Sequence, residues 1–292
     1  MFSYRHAFHA GNHADVLKHI VLLECLELIM QKETGVMLID THAGAGIYEL
    51  EDGFATVSGE SLEGISKIKE YAKHHANTPQ IVKHYLKTIE KFNRLYQSTS
   101  ELYPGSPALM AQALRPVDKL RLFELHPSDI PLLEENINQL HVGRQTQILA
   151  KDGFDGLKAF LPPPTRRGLT LIDPSYEDKN DYQHLNEIIQ DALKRFATGT
   201  YAIWYPHLSR IDSQEVPKKL KQIEVAGKPI SWLHVMLQVK SPAEGTGLYA
   251  SGMFIINPPW KLKASLEESM EFIRDALAQD DSAHFVLESY IP

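Results

Sequence analysis

Four short apolar runs in the sequence end at an acidic residue, and two of these acids are placed to bind ribose or adenine. Glu124 closes the run LRLFE, where its carboxylate could accept hydrogen bonds from two ribose hydroxyls. Asp152 is followed by Gly153, so an acceptor for an adenine amino group would lie beside closely approaching backbone. Asp40 and Asp173 close the other two runs. Taken alone, each acid also fits an ordinary turn after a strand.

The segment around Asp40 has the glycines of a ligand-binding turn. It reads VMLIDTHAGAG, so Gly44 and Gly46 follow the acid in the pattern D-x-x-x-G-x-G. Glycines at these positions let the backbone turn sharply and approach a ligand. A nicotinamide-binding fingerprint would need a third glycine where Glu49 stands, which argues against that cofactor. A plain strand-to-helix turn is the alternative.

Seven runs have the composition of strands, and helical patterns separate most of them. The runs are rich in Val, Ile, Leu and aromatic residues. They cover residues 36–40, 120–125, 147–151, 169–173, 201–205, 232–239 and 252–256. Predicted helices begin after the capping residues Asn12, Ser128 or Asp129, and Asp181. This alternation predicts an α/β fold with a mostly parallel, seven-stranded sheet and helices on both faces. The four acids would then share the edge formed by the carboxyl ends of the strands.

The interval between Asp40 and Leu120 is too long for a single crossover connection, which indicates an insertion. Within it, two sets of apolar residues recur at nearly helical spacing. They are Leu62, Ile65, Ile68 and Tyr71, and then Ile81, Tyr85, Ile89, Phe92 and Tyr96. We therefore predict a small helical subdomain over residues 52–102, inserted into a main domain made of residues 1–51 and 103–292.

The distribution of charge leaves a nucleic-acid partner open, although the net charge is −7. Much of the acidic excess lies after residue 264, where seven acids accompany one arginine. Between residues 65 and 101 the balance reverses, with seven basic residues against three acids. This basic patch is either a solvated helix face or a nucleic-acid surface.

The composition favours a globular cytoplasmic protein. Hydrophobic residues make up 43% of the chain and charged residues 23%, which excludes fibrous and disordered classes. The longest apolar stretch, residues 20–30, contains two glutamates and is shorter than the roughly 20 residues of a bilayer span, so no membrane partner is expected. The N-terminus has no apolar core typical of a signal peptide. A single cysteine, Cys25, fits a reducing compartment.

Asp173 begins the tetrad Asp-Pro-Ser-Tyr, which resembles the D/N/S-P-P-Y/F/W motif of the amino-methylating, class I S-adenosylmethionine-dependent methyltransferases. The resemblance implies that the Asp173 carboxylate and the Pro174 carbonyl accept hydrogen bonds from an adenine N6 amine. Both bonds would favour a pyramidal nitrogen with its lone pair aimed at the sulfonium methyl. Tyr176 would stack on the extruded base. Ser175 stands where proline is usual, so we expect the same chemistry on a less rigid loop.

A second segment matches the residue types of this motif more closely. Residues 257–260 read Asn-Pro-Pro-Trp and follow the apolar run GMFII. The methylating tetrad should follow the fourth strand, after Asp40, Glu124 and Asp152, and Asp173 meets that requirement. We therefore interpret Asn257 as part of a structural turn.

Six segments, taken together, resemble one family of such enzymes. They are YRHAFHAGNHADVLKH, DTHAGAG, YPGSP, ELHPSD, KDGF and GMFIINPPWKL, and they occur in this order from Tyr4 to Leu262. They resemble the RlmJ family, bacterial methyltransferases that methylate N6 of adenine-2030 in 23S ribosomal RNA. The resemblance implies a Rossmann-like methyltransferase fold with an inserted helical subdomain, S-adenosyl-L-methionine as the methyl donor and 23S rRNA as the partner.

The resemblance also assigns roles to residues. Those expected at the S-adenosylmethionine site are Lys18, His19, His42, Gly44, Ser106, Glu124, Asp152, Gly153 and Asp173. Asp173 is also expected to orient the adenine amine and accept its proton, directly or through water, with Pro174 and Tyr176 beside it. Tyr4 is expected on the substrate side. DPSY in place of DPPY leaves the geometry of the catalytic loop open.

Other interpretations remain at this stage. The substrate could be a DNA adenine, or the protein could hold RNA or the methyl donor without catalysing transfer. His9 and His13 have a spacing that can suit a metal, but no cysteine completes a set, so no metal is expected. We expect a monomer.

Overall fold

Strands and helices alternate along most of the chain in the computed structural model, which describes residues 6–50, 59–96, 100–208, 211–242 and 247–291. The strands are β1 (Met37–Asp40), β2 (Ile47–Glu49), β3 (Leu102–Pro104), β4 (Lys119–Glu124), β5 (Thr146–Ala150), β6 (Gly168–Ile172), β7 (Thr200–His207), β8 (Glu224–Val225), β9 (Lys228–Pro229), β10 (Trp232–Gln238), β11 (Ala250–Ile256) and β12 (His284–Tyr290). The helices are α1 (His13–Ile29), α2 (Ile65–His74), α3 (Gln80–Tyr96), α4 (Ser106–Ala113), α5 (Asp129–Gln139), α6 (Gly153–Leu157), α7 (Asn180–Arg195), α8 (Ile211–Lys221), α9 (Leu262–Glu267) and α10 (Met270–Leu277).

The central sheet has eight strands in the order β12-β10-β11-β7-β6-β1-β4-β5. The pairings from β7 to β5 are parallel, and β11, β10 and β12 extend the sheet by antiparallel pairing. The predicted α/β fold with a mostly parallel sheet is confirmed. The predicted number of seven strands is wrong because β12 is an eighth. It is an edge strand with half-exposed residues, so it lacks the continuous apolar run that marks the inner strands.

The inner strands are apolar and α1 is largely buried because both sides of each are covered. β1 is buried at all four positions, and the helices α6, α7 and α8 cover one face of the sheet while α1 covers the other. The side chain of Asn12 caps α1 by accepting from the backbone N–H groups of Ala14 and Asp15 at 2.9 Å. Fourteen of the 17 residues of α1 are buried, because α3 packs on the side of α1 that is turned away from the sheet.

The predicted insertion contributes the helices α2 and α3 between β2 and β3. Of the apolar residues at helical spacing in α3, Ile81, Tyr85, Ile89 and Phe92 are buried and Tyr96 is half-buried. Ile81, Tyr85 and Ile89 share one hydrophobic core with α1. α2 packs against α10. The boundaries at residues 52 and 102 stay a prediction, and residues 51–58 and 97–99 lie outside the described part of the chain.

Backbone contacts join the start of α2 to the turn before α1. The N–H of Ile65 donates to the carbonyl oxygen of Gly11 at 2.8 Å. A Cβ atom on Gly64 would lie 2.0 Å from that same oxygen, so only glycine fits. The Glu60 carboxylate accepts from Asn12 Nδ2 at 2.9 Å and lies 3.0 Å from His9 Nδ1. The beginning of the insertion and the N-terminal turn therefore form one packed unit.

Asn257 lies near the amino ends of the parallel strands, on the side of the sheet away from their carboxyl ends. It follows β11, whose last residue pairs with the start of β7. Its backbone is left-handed, with φ of 50°, and its Nδ2 donates to the carbonyls of Ala197 and Gly199 at 2.8 Å. These are the contacts of a turn that ties two strand ends together. Among the described residues, no helix has the length and apolar character to cross a membrane.

Candidate active site

A cleft of about 360 Å³ opens at the carboxyl ends of β1, β4, β5 and β6. Its volume lies within the usual range for small-molecule sites. Eight of the residues that the sequence predicts for the site line this cleft, namely Lys18, His42, Gly44, Ser106, Glu124, Asp152, Asp173 and Pro174. The parallel pairing of the strands brings the residues at the strand ends together, and the packing of α1 and α4 adds Lys18 and Ser106.

Three further predicted residues lie beside the cleft without lining it, and a fourth is outside the described residues. His19 is fully buried and its Nδ1 lies 2.8 Å from the hydroxyl of Tyr103. Gly153 packs against the backbone of Thr41, where a Cβ atom would lie 2.0 Å from the carbonyl oxygen. Tyr176, the last residue of the tetrad, is buried. Tyr4 belongs to residues 1–5, which lie outside the described part.

The Glu124 carboxylate is fixed by backbone N–H groups from two loops. Oε2 accepts from Gly44 at 2.6 Å, and Oε1 accepts from Leu125 at 2.8 Å and from His126 at 2.6 Å. Burial raises the pKa of Glu124, although the backbone N–H groups favour the ionised form. Each carboxylate oxygen can accept more than one bond, so Glu124 can also bind hydroxyl groups of a ligand.

Asp40 holds the start of the glycine turn through hydrogen bonds. It is fully buried and accepts from Ser106 Oγ at 2.7 Å and from the N–H of His42 at 3.2 Å. Burial raises the pKa of Asp40 to about 6, against the effect of these two bonds. Gly44 follows with φ of 60°, and a Cβ atom there would lie 2.5 Å from the Tyr48 hydroxyl. The turn therefore depends on glycine to bring its backbone to the cleft.

Asp152 caps α6 with one oxygen and faces the cleft. Its Oδ1 accepts from the backbone N–H groups of Phe154 at 2.8 Å and Asp155 at 3.2 Å. The neighbouring ring of His42 is uncharged at neutral pH, because burial lowers its pKa to about 4. Asp152 is an ordered acceptor, and it lines the same cleft as the tetrad loop although the two segments are distant in sequence.

Asp173 is paired with a buried lysine that sequence spacing alone does not connect to it. Lys18 Nζ donates to Asp173 Oδ2 at 2.6 Å and lies 2.7 Å from Asp15 Oδ1. Burial would lower the pKa of Lys18, but the two carboxylates outweigh it and raise the pKa. Within the described residues, no hydrogen-bond partner is seen for Asp173 Oδ1. Asp173 itself is one of the residues that line the cleft.

Asp15 is the member of this cluster that the sequence analysis missed. Burial opposes its ionisation, yet His6, Lys18 and His19 together hold its pKa well below the usual value. The signal available in the sequence was the spacing of Asp15 and Lys18, three residues apart in the first turns of a capped helix. The contact of Lys18 with Asp173 spans 155 residues and depends on the packing of α1 on the sheet.

The tetrad loop presents Pro174 and Ser175 to the cleft and buries Tyr176. Tyr176 is 2% exposed, has a left-handed backbone with φ of 55°, and donates its hydroxyl to the carbonyl of Trp204 at 2.7 Å. Its ring lies 4.7 Å from that of Tyr182. Stacking on a base would require the ring to leave these contacts, so the predicted role of Tyr176 stays a prediction.

The lining of the cleft is strongly acidic. Its carboxylates belong to Glu124, Asp129, Asp152, Asp173, Glu177, Asp178 and Asp181. Lys18 is the one lysine or arginine among the described lining residues, and it is already paired. The site is therefore suited to a ligand with hydroxyl and amino groups and a positive charge, as a sulfonium carries. In the described chain, no group of three or more His, Cys, Asp or Glu side chains has an arrangement that could hold a metal ion.

Comparison with known proteins gives matches over the whole chain. The family model described as "Ribosomal RNA large subunit methyltransferase D, RlmJ" matches residues 33–289. The ribosomal RNA large subunit methyltransferases J of Haemophilus influenzae and Escherichia coli are each 41% identical, with complete coverage of both chains. A crystal structure of a Legionella pneumophila protein superposes with a TM-score of 0.84 at 32% identity, covering 96% of this chain and 98% of that one.

Proposed function

Because the chain belongs to the RlmJ family of ribosomal RNA large subunit methyltransferases, we propose that it methylates N6 of one adenine in 23S rRNA, at the family site adenine-2030. It has the class I methyltransferase fold and acts on ribosomal RNA with S-adenosylmethionine as the methyl donor. The atom and the position methylated are the proposed part. Its cytoplasmic location and monomeric state stay predictions.

The single observation that carries the proposal is the state of Asp173. One of its oxygens is bound by the Lys18 ammonium at 2.6 Å, the other has no hydrogen-bond partner among the described residues, and Asp173 lines the cleft next to Pro174. A carboxylate oxygen and a backbone carbonyl are together able to accept both N–H groups of a primary aromatic amine. Adenine N6 is such an amine. A ribose hydroxyl has only one hydrogen to donate and a ring carbon has no N–H or O–H group, so neither would use both acceptors.

The residues that would hold the methyl donor fit its groups. Glu124 offers ordered oxygens to the ribose hydroxyls, and Asp152 offers an acceptor to the adenine amino group of the donor. A Cβ atom on Gly44 would meet the Tyr48 hydroxyl and one on Gly153 would meet the Thr41 carbonyl, so glycine at both positions keeps the loops around the cleft in place. When bound, S-adenosylmethionine supplies a methyl group on a positively charged sulfur, which the acidic lining favours.

In the proposed mechanism, the protein's main contribution is orientation. Asp173 Oδ1 and the Pro174 carbonyl accept the two N–H groups of the target amine and turn its lone pair towards the methyl group. A bound methyl donor would supply the methyl group, and the amine nitrogen would carry the positive charge after the transfer. The nitrogen then gives one proton to Asp173, directly or through water. Lys18 keeps Asp173 in place throughout.

The test is methyl transfer from isotope-labelled S-adenosylmethionine to unmodified 23S rRNA, with the product nucleoside and its position identified by mass spectrometry. We expect N6-methyladenosine at the family site alone. An RNA with guanine at that position is the matched control and should accept no label. Equal transfer to a DNA fragment of the same sequence would favour the DNA substrate. Binding of the methyl donor without transfer to any RNA would leave a non-catalytic protein.

A first prediction concerns the methyl-donor site. Glu124→Gln should weaken S-adenosylmethionine binding about tenfold, because glutamine has one acceptor oxygen where the backbone and the ribose use two. Isothermal titration calorimetry measures this directly. Glu135→Gln, the same change on the exposed side of α5, is the control and should bind as the wild type does. An unchanged dissociation constant for Glu124→Gln would exclude a ribose contact there.

A second prediction concerns the third tetrad position. Ser175→Pro should preserve or raise the rate of methyl transfer, because the ring of proline restricts the loop while the acceptor carbonyl belongs to Pro174. The Ser175 side chain is exposed and makes only a long contact, 3.5 Å from the N–H of Glu177. Steady-state kinetics on 23S rRNA provides the measurement. A complete loss of activity would mean that the serine has a role of its own.

A further inference from the structure

Asp15 is a buried carboxylate that meets the cleft only through its partners. It is 1% exposed and does not line the cleft. Its Oδ1 lies 2.7 Å from Lys18 Nζ, and its Oδ2 accepts from the N–H of Gly11 at 2.9 Å and lies 2.9 Å from His6 Nε2. It is the third residue of α1, where the positive end of the helix dipole favours an anion. These surroundings keep Asp15 ionised despite its burial.

The Lys18 ammonium is consequently shared between two carboxylates. It lies 2.7 Å from Asp15 and 2.6 Å from Asp173, and the ring of Trp204 lies 5.8 Å away. An ammonium in a nearly water-free site is drawn to every carboxylate within reach. If Asp15 were neutral, Asp173 would be the nearest remaining anion. Lys18 would then be drawn towards both oxygens of Asp173, including Oδ1, which has no hydrogen-bond partner among the described residues.

On the basis of the proposed function, we propose that Asp15 is a positioning residue that holds Lys18 on Oδ2 of Asp173 and so leaves Oδ1 free to accept the target N6 amine. Asp15 touches neither the substrate nor the methyl donor. Its effect is transmitted through Lys18. A residue with this role affects the orientation of the amine, and therefore the rate of transfer, without contributing to binding of S-adenosylmethionine.

The experiment compares Asp15→Asn with the wild type in single-turnover methyl transfer to 23S rRNA. The transfer rate should fall about 100-fold, the scale of a misplaced catalytic group, while the dissociation constant for S-adenosylmethionine changes less than about threefold. Asp155→Asn is the matched control: Asp155 is the third residue of α6 with a lysine three positions on, but it is exposed and lies outside the cleft lining. This control should keep the wild-type rate.

A double-mutant cycle separates positioning from a general structural effect. In a Lys18→Met background, Asp15→Asn should reduce the rate by less than about threefold further, because its effect acts through Lys18. A wild-type rate in Asp15→Asn, or an equal loss with and without Lys18, would overturn the proposal. Should Asp15→Asn not fold, Asp15→Glu replaces it in the cycle. Glutamate keeps the charge but moves the carboxylate by one methylene, so the transfer rate should fall with Lys18 present and should not fall further in the Lys18→Met background. An unchanged rate, or an equal fall in both backgrounds, would overturn the role of Asp15.

The same assay distinguishes this inference from the function on which it rests. If the wild type forms no N6-methyladenosine, the proposed function fails and the positioning role fails with it. If the wild type forms that product and the cycle is additive, only the role of Asp15 fails.

Discussion

Asp173→Asn is expected to lower the rate of methyl transfer at least about 1,000-fold, equivalent to about 4 kcal/mol of transition-state stabilisation. The change keeps the shape of the side chain. The Lys18 ammonium will keep the single amide oxygen, because an ammonium only donates hydrogen bonds. The amide NH₂ is then turned to the target amine, so two donors face each other and no acceptor remains for the proton.

Single-turnover transfer to 23S rRNA measures this loss, with calorimetry of S-adenosylmethionine binding as the check that the cleft is intact. Asp155→Asn, the exposed control used for Asp15, should show full activity. Activity of Asp173→Asn within tenfold of the wild type would move the catalytic role to another residue. It would also remove the main support for an amine as the target.

Gly153→Ala is expected to destabilise the fold by about 3 kcal/mol or more and to abolish binding of the methyl donor. The new Cβ atom would lie 2.0 Å from the carbonyl oxygen of Thr41 and 2.7 Å from its Cα. Backbone atoms cannot swing aside as the end of a side chain can, and the N–H of Thr41 is bonded to the carbonyl of Leu171 in the sheet. The loops that carry His42 and Asp152 must therefore separate.

Denaturant unfolding gives the change in stability, and calorimetry gives the loss of binding. Gly247→Ala is the matched control, because a Cβ atom there meets nothing within 4 Å and the backbone has no positive φ. Alanine at residue 153 also has the higher helix propensity, so a small local gain works against the predicted loss. A stability within about 0.5 kcal/mol of the wild type would contradict the close packing of these two loops.

The inner part of the fold could be predicted from sequence because its strands are buried on both faces. Such strands are continuous apolar runs, as in residues 169–173, and the acids that end four of the seven predicted runs mark the carboxyl ends of the parallel strands. The short pair β2 and β3 and the edge strand β12 were not predicted. Two- and three-residue pairings have too few residues for a pattern, and the half-exposed edge strand β12 has no terminal acid to mark it. The other edge strand, β5, is also half-exposed, but Asp152 follows it directly.

For the candidate site, residue types were easier to predict than contacts. The acids at strand ends were predicted to lie together, because topology alone imposes it. The pairing of Lys18 with Asp173 and Asp15 required the packing of α1 on the sheet, which no local pattern contains. Tyr176 illustrates the opposite case, since its motif suggests a base contact while its hydroxyl is bound to the Trp204 carbonyl within the core.

The contact of Gly64 with the Gly11 carbonyl limits how this protein can be divided or recombined. An inserted segment is often treated as a module that can be removed or exchanged at its two ends. Here its removal would strip the hydrogen-bond donor from a buried carbonyl beside Asn12, the residue that caps the helix carrying Lys18. Chimaeras between relatives would therefore have to exchange residues 6–15 and 59–65 as one unit. The evolutionary history of the two segments is expected to be linked for the same reason.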